Sequence, residues 1–281
     1  MSSTGNYRLE GKVICVTGAS SGIGAAIASA LYAEGARVCI GARRVDKLTS
    51  VKAACLEKLP DSPGKIEVHE LDVTNRSSME TFVAYAKNQL CDDDDAKKAD
   101  AENNQRAFID IMVCCAGVMY FTKMKNAKMD EWDQTIDVNC RGVTNAYGCC
   151  IPGMVSAGRG KILTISSDAG MRDFQTLAVY CASKRFVETL TEITRRELVG
   201  TGVTLTTICP GDVKGTELIM KNTDEDAAKE LGVEIGKPVG TGFERNQLLD
   251  VEDVANAVVY ALTVPSHVAV NTVMIEPRDQ E

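Results

Sequence analysis

Apolar, strand-length runs alternate with helix-length segments along almost the whole chain, and this alternation limits the fold more than any other feature. Strands are read at about 12–17, 37–41, 66–71, 109–114, 161–166, 203–208 and 271–275. Helices are read at about 25–34, 45–59, 76–90, 130–157, 178–199 and 251–262. Such alternation implies an α/β fold with a parallel sheet covered on both faces by helices. At 281 residues the chain suits one such domain with insertions, or at most two small domains.

The first strand runs into a glycine-rich turn. Val13-Ile14-Cys15-Val16 is followed by Thr17-Gly18-Ala19-Ser20-Ser21-Gly22-Ile23-Gly24 and then by a helix-forming stretch. Gly18 allows the tight turn, Gly22 lets backbone approach a pyrophosphate, and Gly24 permits close packing of helix on strand. Free N–H groups at the helix start favour a phosphate charge. A glycine turn that binds nothing has the same composition, but its place between strand and helix favours a dinucleotide.

Far along the chain, Tyr180 and Lys184 stand four residues apart in Tyr180-Cys181-Ala182-Ser183-Lys184, so on a helix they share a face. An isolated pair of this kind is a weak signal. A phenol titrates near ~10, and a neighbouring ammonium is expected to lower that value toward the working range. Ser167, thirteen residues before the tyrosine, is placed to hold the oxygen that Tyr180 protonates or deprotonates. Ser166 is the alternative.

The glycine turn and the Tyr-x-x-x-Lys pair, in this order and separation, resemble the main branch of the short-chain dehydrogenase/reductase family, over about residues 9–277. The resemblance implies a Rossmann-type, doubly wound sheet of seven strands in a single domain. It implies a catalytic set of Asn139, Ser167, Tyr180 and Lys184. Asn139, in Val138-Asn139-Cys140, would kink its helix and support a proton relay through the lysine, and Lys184 would also hold the nicotinamide ribose. Asp72 and Val73, after the third strand, match the positions that meet adenine. Cys115-Ala116-Gly117 matches the turn after the fourth strand. There the family usually has an asparagine that braces neighbouring strands, and Cys115 is a weak substitute. Pro210, Gly211 and Val213 match the segment that packs on the nicotinamide. Thr216 falls one residue later than usual.

At the end of the second strand, Gly41-Ala42-Arg43-Arg44 lacks the acid that would bind a ribose 2′-hydroxyl and repel a 2′-phosphate. Arg43 and Arg44 suit the phosphate, with Ser20 and Ser21 as further donors, so NADP(H) is the expected cofactor. The expected reaction is hydride transfer between nicotinamide and a carbonyl or alcohol. The run 265–273 resembles the subgroup of 3-hydroxy acid and serine dehydrogenases, which points to a small polar substrate. A broad reductase of steroid or isoprenoid carbonyls and a non-catalytic NADPH sensor are the alternatives.

Net charge is −8, which argues against a nucleic-acid partner. No apolar run is long enough for a membrane span, and the N-terminus has no apolar signal region, so a cytoplasmic location is expected. The eleven cysteines lie mostly in apolar segments and read as reduced core residues, with no metal site expected. Residues 91–107 read as a charged surface insertion, and 212–248, rich in glycine and charge, as a mobile substrate lid with a polar rim. The long helices at 130–157 and 178–199 suggest pairing of subunits into a homodimer or homotetramer, and a stripe of Val143, Ala146, Tyr147 and Cys150 on the first faces either a partner or the chain's own sheet.

Overall fold

The computed structural model describes residues 7–90, 108–237 and 248–280. Its sheet has seven parallel strands: β1 (Val13–Thr17), β2 (Arg37–Ala42), β3 (Lys65–Glu70), β4 (Ile111–Cys114), β5 (Gly160–Ile165), β6 (Val203–Pro210) and β7 (Thr272–Ile275). Their order across the sheet is β3-β2-β1-β4-β5-β6-β7. The helices are α1 (Gly22–Ala33), α2 (Val45–Lys58), α3 (Arg76–Leu90), α4 (Met129–Ile136), α5 (Gly142–Ser156), α6 (Ala178–Glu197), α7 (Glu225–Leu231) and α8 (Val251–Thr263).

Every residue of β1 is buried, because the strand is central and helices lie on both sides. Side chains alternate between the two faces. Ile14 and Val16 join Ile27, Leu31, Val254 and Val258 beneath α1 and α8. Val13 and Cys15 join Phe82, Met112, Tyr147 and Val187 beneath α3, α5 and α6. Each large aliphatic or aromatic side chain fully removed from water contributes roughly 1.5–3 kcal/mol. The edge strands β3 and β7 are only half-buried, as one-sided pairing requires.

The sheet grows outward from β1 to β3, then resumes on the other side of β1 with β4. Ligand sites form at such a reversal, beyond the C-terminal ends of the strands. Here those ends deliver Gly18 after β1 and Cys115 after β4. The Thr17 hydroxyl oxygen accepts from the backbone N–H of Cys115 (3.1 Å) and of Ala116 (3.2 Å). The strand ends are therefore braced from β1, and the loss of an asparagine at 115 is offset.

Two expectations need correction, and the stripe's two alternatives are decided. The helix read over 130–157 is divided: α4 and α5 are joined by a π-helical turn over Asp137–Arg141. The stripe Val143, Ala146, Tyr147 and Cys150 does not face a partner. All four residues are buried against the chain's own sheet, and the Tyr147 hydroxyl hydrogen-bonds Thr164 (2.9 Å) and Thr191 (2.8 Å). The described part of the 212–248 segment is not simply a polar rim. It contains α7, whose N-terminus is capped by Asp224, and Ile219, Ala227, Ala228 and Val233 pack with Phe121 into a small apolar core. Asp224 also accepts from Lys123 N–H (2.9 Å) and Asn126 Nδ2 (2.8 Å), tying the segment to the loop after β4. The insertion 91–107 and residues 238–247 lie outside the described residues.

Ten cysteines among the described residues are free thiols. No helix among them is long and apolar enough to cross a membrane.

Candidate active site

The glycine turn closes on the loop after β4. Gly18 has φ +71°, and a Cβ there would stand 2.6 Å from Ala116 Cα. A Cβ on Gly24 would stand 2.4 Å from the Gly18 carbonyl oxygen. Both positions therefore exclude any side chain. The N-terminus of α1, from Gly22 and Ile23, faces the segment after β6, where buried Thr216 lies against Gly22. Val213 is buried and bridges to Leu249. Pro210 ends β6, and Gly211 N–H donates to the Ile275 carbonyl (2.8 Å).

Arg44 bends back onto the glycine turn. Its Nη2 donates to the hydroxyls of Ser20 and Ser21, at 3.0 Å each. Its Nη1 pairs with Glu217 Oε2 at 2.7 Å, and Ser21 donates to the same carboxylate oxygen (3.2 Å). The Arg44 hydrogen bond holds the Glu217 carboxyl below the usual range. One guanidinium and one hydroxyl thus hold an anion at the start of α1, with Ser20 bonded to the same guanidinium. Arg43 is exposed and is not part of this group. Asp72 Oδ1 accepts from Thr74 N–H (3.0 Å) and Oγ1 (2.8 Å), which fixes the turn after β3. Val73 is buried, and its carbonyl accepts from Asn145 Nδ2 (2.9 Å).

The structure brings Asn139, Ser167, Tyr180 and Lys184 together. Tyr180 and Lys184 lie one turn apart on α6 and are both buried. Ser167 lies beside the Tyr180 hydroxyl and pulls the phenol's pKa down. Ser167 ends the extended chain after β5. Its Oγ accepts from Ala169 N–H (3.2 Å) and donates to Asp168 Oδ1 (2.8 Å). Ser166, the alternative, is buried with its hydroxyl unpartnered and close to Gly170.

Burial pushes the Tyr180 phenol up, beyond what neighbouring Ser167 pulls it down, and the Asp168 carboxylate adds to the rise. The expected lowering by Lys184 is not seen, and the geometry gives the reason. The ammonium sits over the tyrosine ring, 5.6 Å from its centroid, and donates to the Ile165 carbonyl (3.0 Å) rather than to the phenol oxygen. Burial lowers Lys184 itself to about 8. Glu188, one turn further along α6, opposes that drop and is held by Thr207 (3.0 Å) and Cys209 (3.3 Å).

Asn139 sits in the π turn, where the altered backbone re-aims its side chain. Oδ1 accepts from Val118 N–H (2.9 Å), while Nδ2 donates to the Val118 carbonyl (2.9 Å) and to Ser183 Oγ (3.0 Å). This ties the loop after β4 to α6. Gly117 lies between the two polar side chains: a Cβ there would be 3.6 Å from Asn139 Oδ1 and 3.9 Å from Lys184 Nζ. Burial raises the Cys115 thiol to about 12, so it is neutral beside this ammonium.

Sequence reasoning missed Asp168, Glu217, Ser183 and Gln280. Gln280 Nε2 donates to Asp168 Oδ2 (2.7 Å), and its Oε1 accepts from Asp212 N–H (3.0 Å). Asp168 is adjacent to Ser167 and Ser183 to Lys184, so their neighbours were a signal. Nothing local marks Glu217 or Gln280.

The chain is 46% identical over 272 residues to glycine betaine reductase ATRR of Emericella nidulans, covering 97% of this chain but 19% of that protein. It therefore spans about a fifth of that relative. It is 32% identical to an uncharacterized oxidoreductase of Staphylococcus aureus (strain MW2), covering 96% and 98% of the two chains. The closed form of serine dehydrogenase complexed with NADP+ superposes with a TM-score of 0.75 at 30% identity, covering 95% and 96%. The family model described as short chain dehydrogenase matches residues 12–227. With this match on top of the seven-stranded sheet and the assembled tyrosine, lysine, serine and asparagine, the chain belongs to the short-chain dehydrogenase family of oxidoreductases.

Proposed function

We propose that the chain interconverts a small carbonyl compound and its alcohol, using NADP(H). The observation that carries this reading is the buried pair of Tyr180 and Lys184 one helical turn apart, the ammonium 5.6 Å over the tyrosine ring and Ser167 beside the phenol. The cofactor, when bound, supplies or accepts a hydride at its nicotinamide carbon.

Tyr180 gives its phenolic proton to the substrate oxygen in reduction and takes it back in oxidation. Ser167 holds that oxygen in line with the phenol. Lys184, its ammonium over the tyrosine ring and bonded to the Ile165 carbonyl, is placed to hold the nicotinamide ribose when the cofactor is bound. Asn139 keeps Val118 and α6 in register, so the loop after β4 and the catalytic helix stay at fixed separation.

The fit to a phosphorylated ribose rests on Arg44, Ser20 and Ser21, of which Arg44 and Ser21 already hold the Glu217 carboxylate and Ser20 holds Arg44. No acid stands at the end of β2 to repel a 2′-phosphate. The NADP+ complex of serine dehydrogenase supports the same cofactor. The 46% identity to a protein named for glycine betaine favours a second, narrower reading, in which the substrate belongs to that class of small ammonium compounds.

Homo-oligomer formation belongs to the proposal on new ground: α6 exposes Phe186 and Ile193, two turns apart on its outer surface. Free, mostly buried thiols favour a reducing, cytoplasmic setting. The test is a panel of hydroxy acids, aldehydes and ketones, followed by NADPH and NADH absorbance. NADPH-linked turnover of small carbonyls is expected. Preference for NADH, or no turnover across the panel, refutes the reading.

A further inference from the structure

We propose that Asp168 selects substrates that carry a positive charge, an alkylammonium group within two or three bonds of the reacting carbonyl. The proposal rests on the carbonyl-reductase reading above and adds the substrate's charge to it.

Asp168 follows the serine that holds the substrate oxygen, and it is only 7% exposed. Its Oδ1 accepts from Ser167 Oγ (2.8 Å) and Ala169 N–H (2.8 Å), and its Oδ2 from Gln280 Nε2 (2.7 Å). All three donors are neutral, and the carboxylate forms no ion pair among the described residues. Arg172, four residues on, pairs with Glu276 (2.9 Å). Buried charges are ordinarily paired with an opposite charge. A carboxylate kept here with neutral partners alone leaves room for a cation from outside the chain.

The place suits one. Asp168 is a single hydrogen bond from the Ser167 hydroxyl, and its field reaches the Tyr180 phenol. Met119, Phe174 and Leu177 pack around Tyr180 and Ala169, giving thioether, aromatic and aliphatic walls. Such walls suit a methylated ammonium, whose charge is spread over an apolar surface. Gln280 occupies the side of the carboxylate turned away from Ser167. It belongs to the half-buried terminal segment outside any helix or strand, so its amide is displaceable.

The competing role for Asp168 is to orient Ser167 and nothing more. A matched pair of aldehydes separates the two: trimethylammonioacetaldehyde and its neutral isostere 3,3-dimethylbutanal, assayed with NADPH. The parent is expected to prefer the cation by about tenfold or more in kcat/KM, and Asp168→Asn to erase most of that ratio, chiefly through KM. Equal losses on both aldehydes assign Asp168 to orienting Ser167 and overturn the proposal. So does a parent that reduces both equally. Gln280→Ala, which leaves the carboxylate in place, should keep the preference, and its loss there also overturns the proposal. Calorimetry with choline and 3,3-dimethylbutan-1-ol reads the charge preference without turnover. Choline binding weakened about tenfold by Asp168→Asn supports the proposal even if NADPH-linked reduction fails. Turnover of neutral carbonyls with no preference for choline leaves the reductase reading standing and sinks this one.

Discussion

Replacing Lys184 with Met should stabilise the protein at neutral pH while it removes activity. The ammonium is 6% exposed, and burial drops its pKa from 10.5 to about 8. At 1.36 kcal/mol per tenfold change, keeping that charge folded costs about 3 kcal/mol at pH 7. Removal also loses the hydrogen bond to the Ile165 carbonyl, worth about 1 kcal/mol. The net gain for Lys184→Met is about 2 kcal/mol. Its sign with pH follows from linkage. Between the folded value near 8 and the unfolded 10.5, the unfolded chain binds the extra proton, so the parent gains stability as pH rises through that window. By pH 10 the cost of the charge is down to about 1 kcal/mol, and the two proteins should be about equally stable. Urea unfolding followed by circular dichroism at pH 7, 8.5 and 10 reads this directly. A variant less stable than the parent at pH 7, or a gap that does not change with pH, refutes the reasoning. Such a trade of stability for function is common at catalytic sites.

Arg44→Ala should weaken NADPH by about tenfold or more and NADH little, because a charge-assisted contact is worth about 1.5–3 kcal/mol; fluorescence titration with both cofactors checks it. Glu217→Gln should act in the opposite direction, tightening NADPH several-fold in the same titration, since the carboxylate now holds Arg44 and Ser21. Asn139→Ala should cost roughly 2 kcal/mol in a thermal or urea melt, because the Val118 N–H and carbonyl lose their partner together. Light scattering behind a sizing column should report a multiple of the 30.2 kDa chain, reduced to the monomer by a Phe186→Glu, Ile193→Glu double variant; a monomeric parent refutes the oligomer.

The parts of this molecule legible in the sequence are those whose cause is local. Strand and helix alternation carried the sheet because parallel strands buried on both faces must be continuously apolar, as β1 is. Gly18 and Gly24 were readable because steric exclusion acts within a few residues. Tyr180 and Lys184 were readable because one helical turn joins them. The stripe on α5 could not be assigned from sequence, because an amphipathic face says that something apolar covers it, but not whether this is a partner or the chain's own sheet. The lysine's effect on Tyr180 was misread because spacing gives a shared face but not the aim of the ammonium or the extent of burial. The α7 helix did leave a local trace, Asp224 at its start and Gly232 with φ +67° at its end, hidden among many glycines. The remaining gaps are long-range. Gln280 meets Asp168 across 112 residues, and Glu217 meets Arg44 across 173. Polar pairs of that separation leave no periodic signal.

The central claim is that Tyr180 moves the proton at a cofactor-lined site, and Tyr180→Phe tests it most directly. Phenylalanine keeps the ring that lies under the Lys184 ammonium and removes only the hydroxyl beside Ser167. The variant should bind NADPH within about threefold of the parent and lose a factor of roughly 10²–10⁴ in turnover with the best carbonyl substrate. Turnover within tenfold of the parent, with NADPH binding intact, would contradict the account.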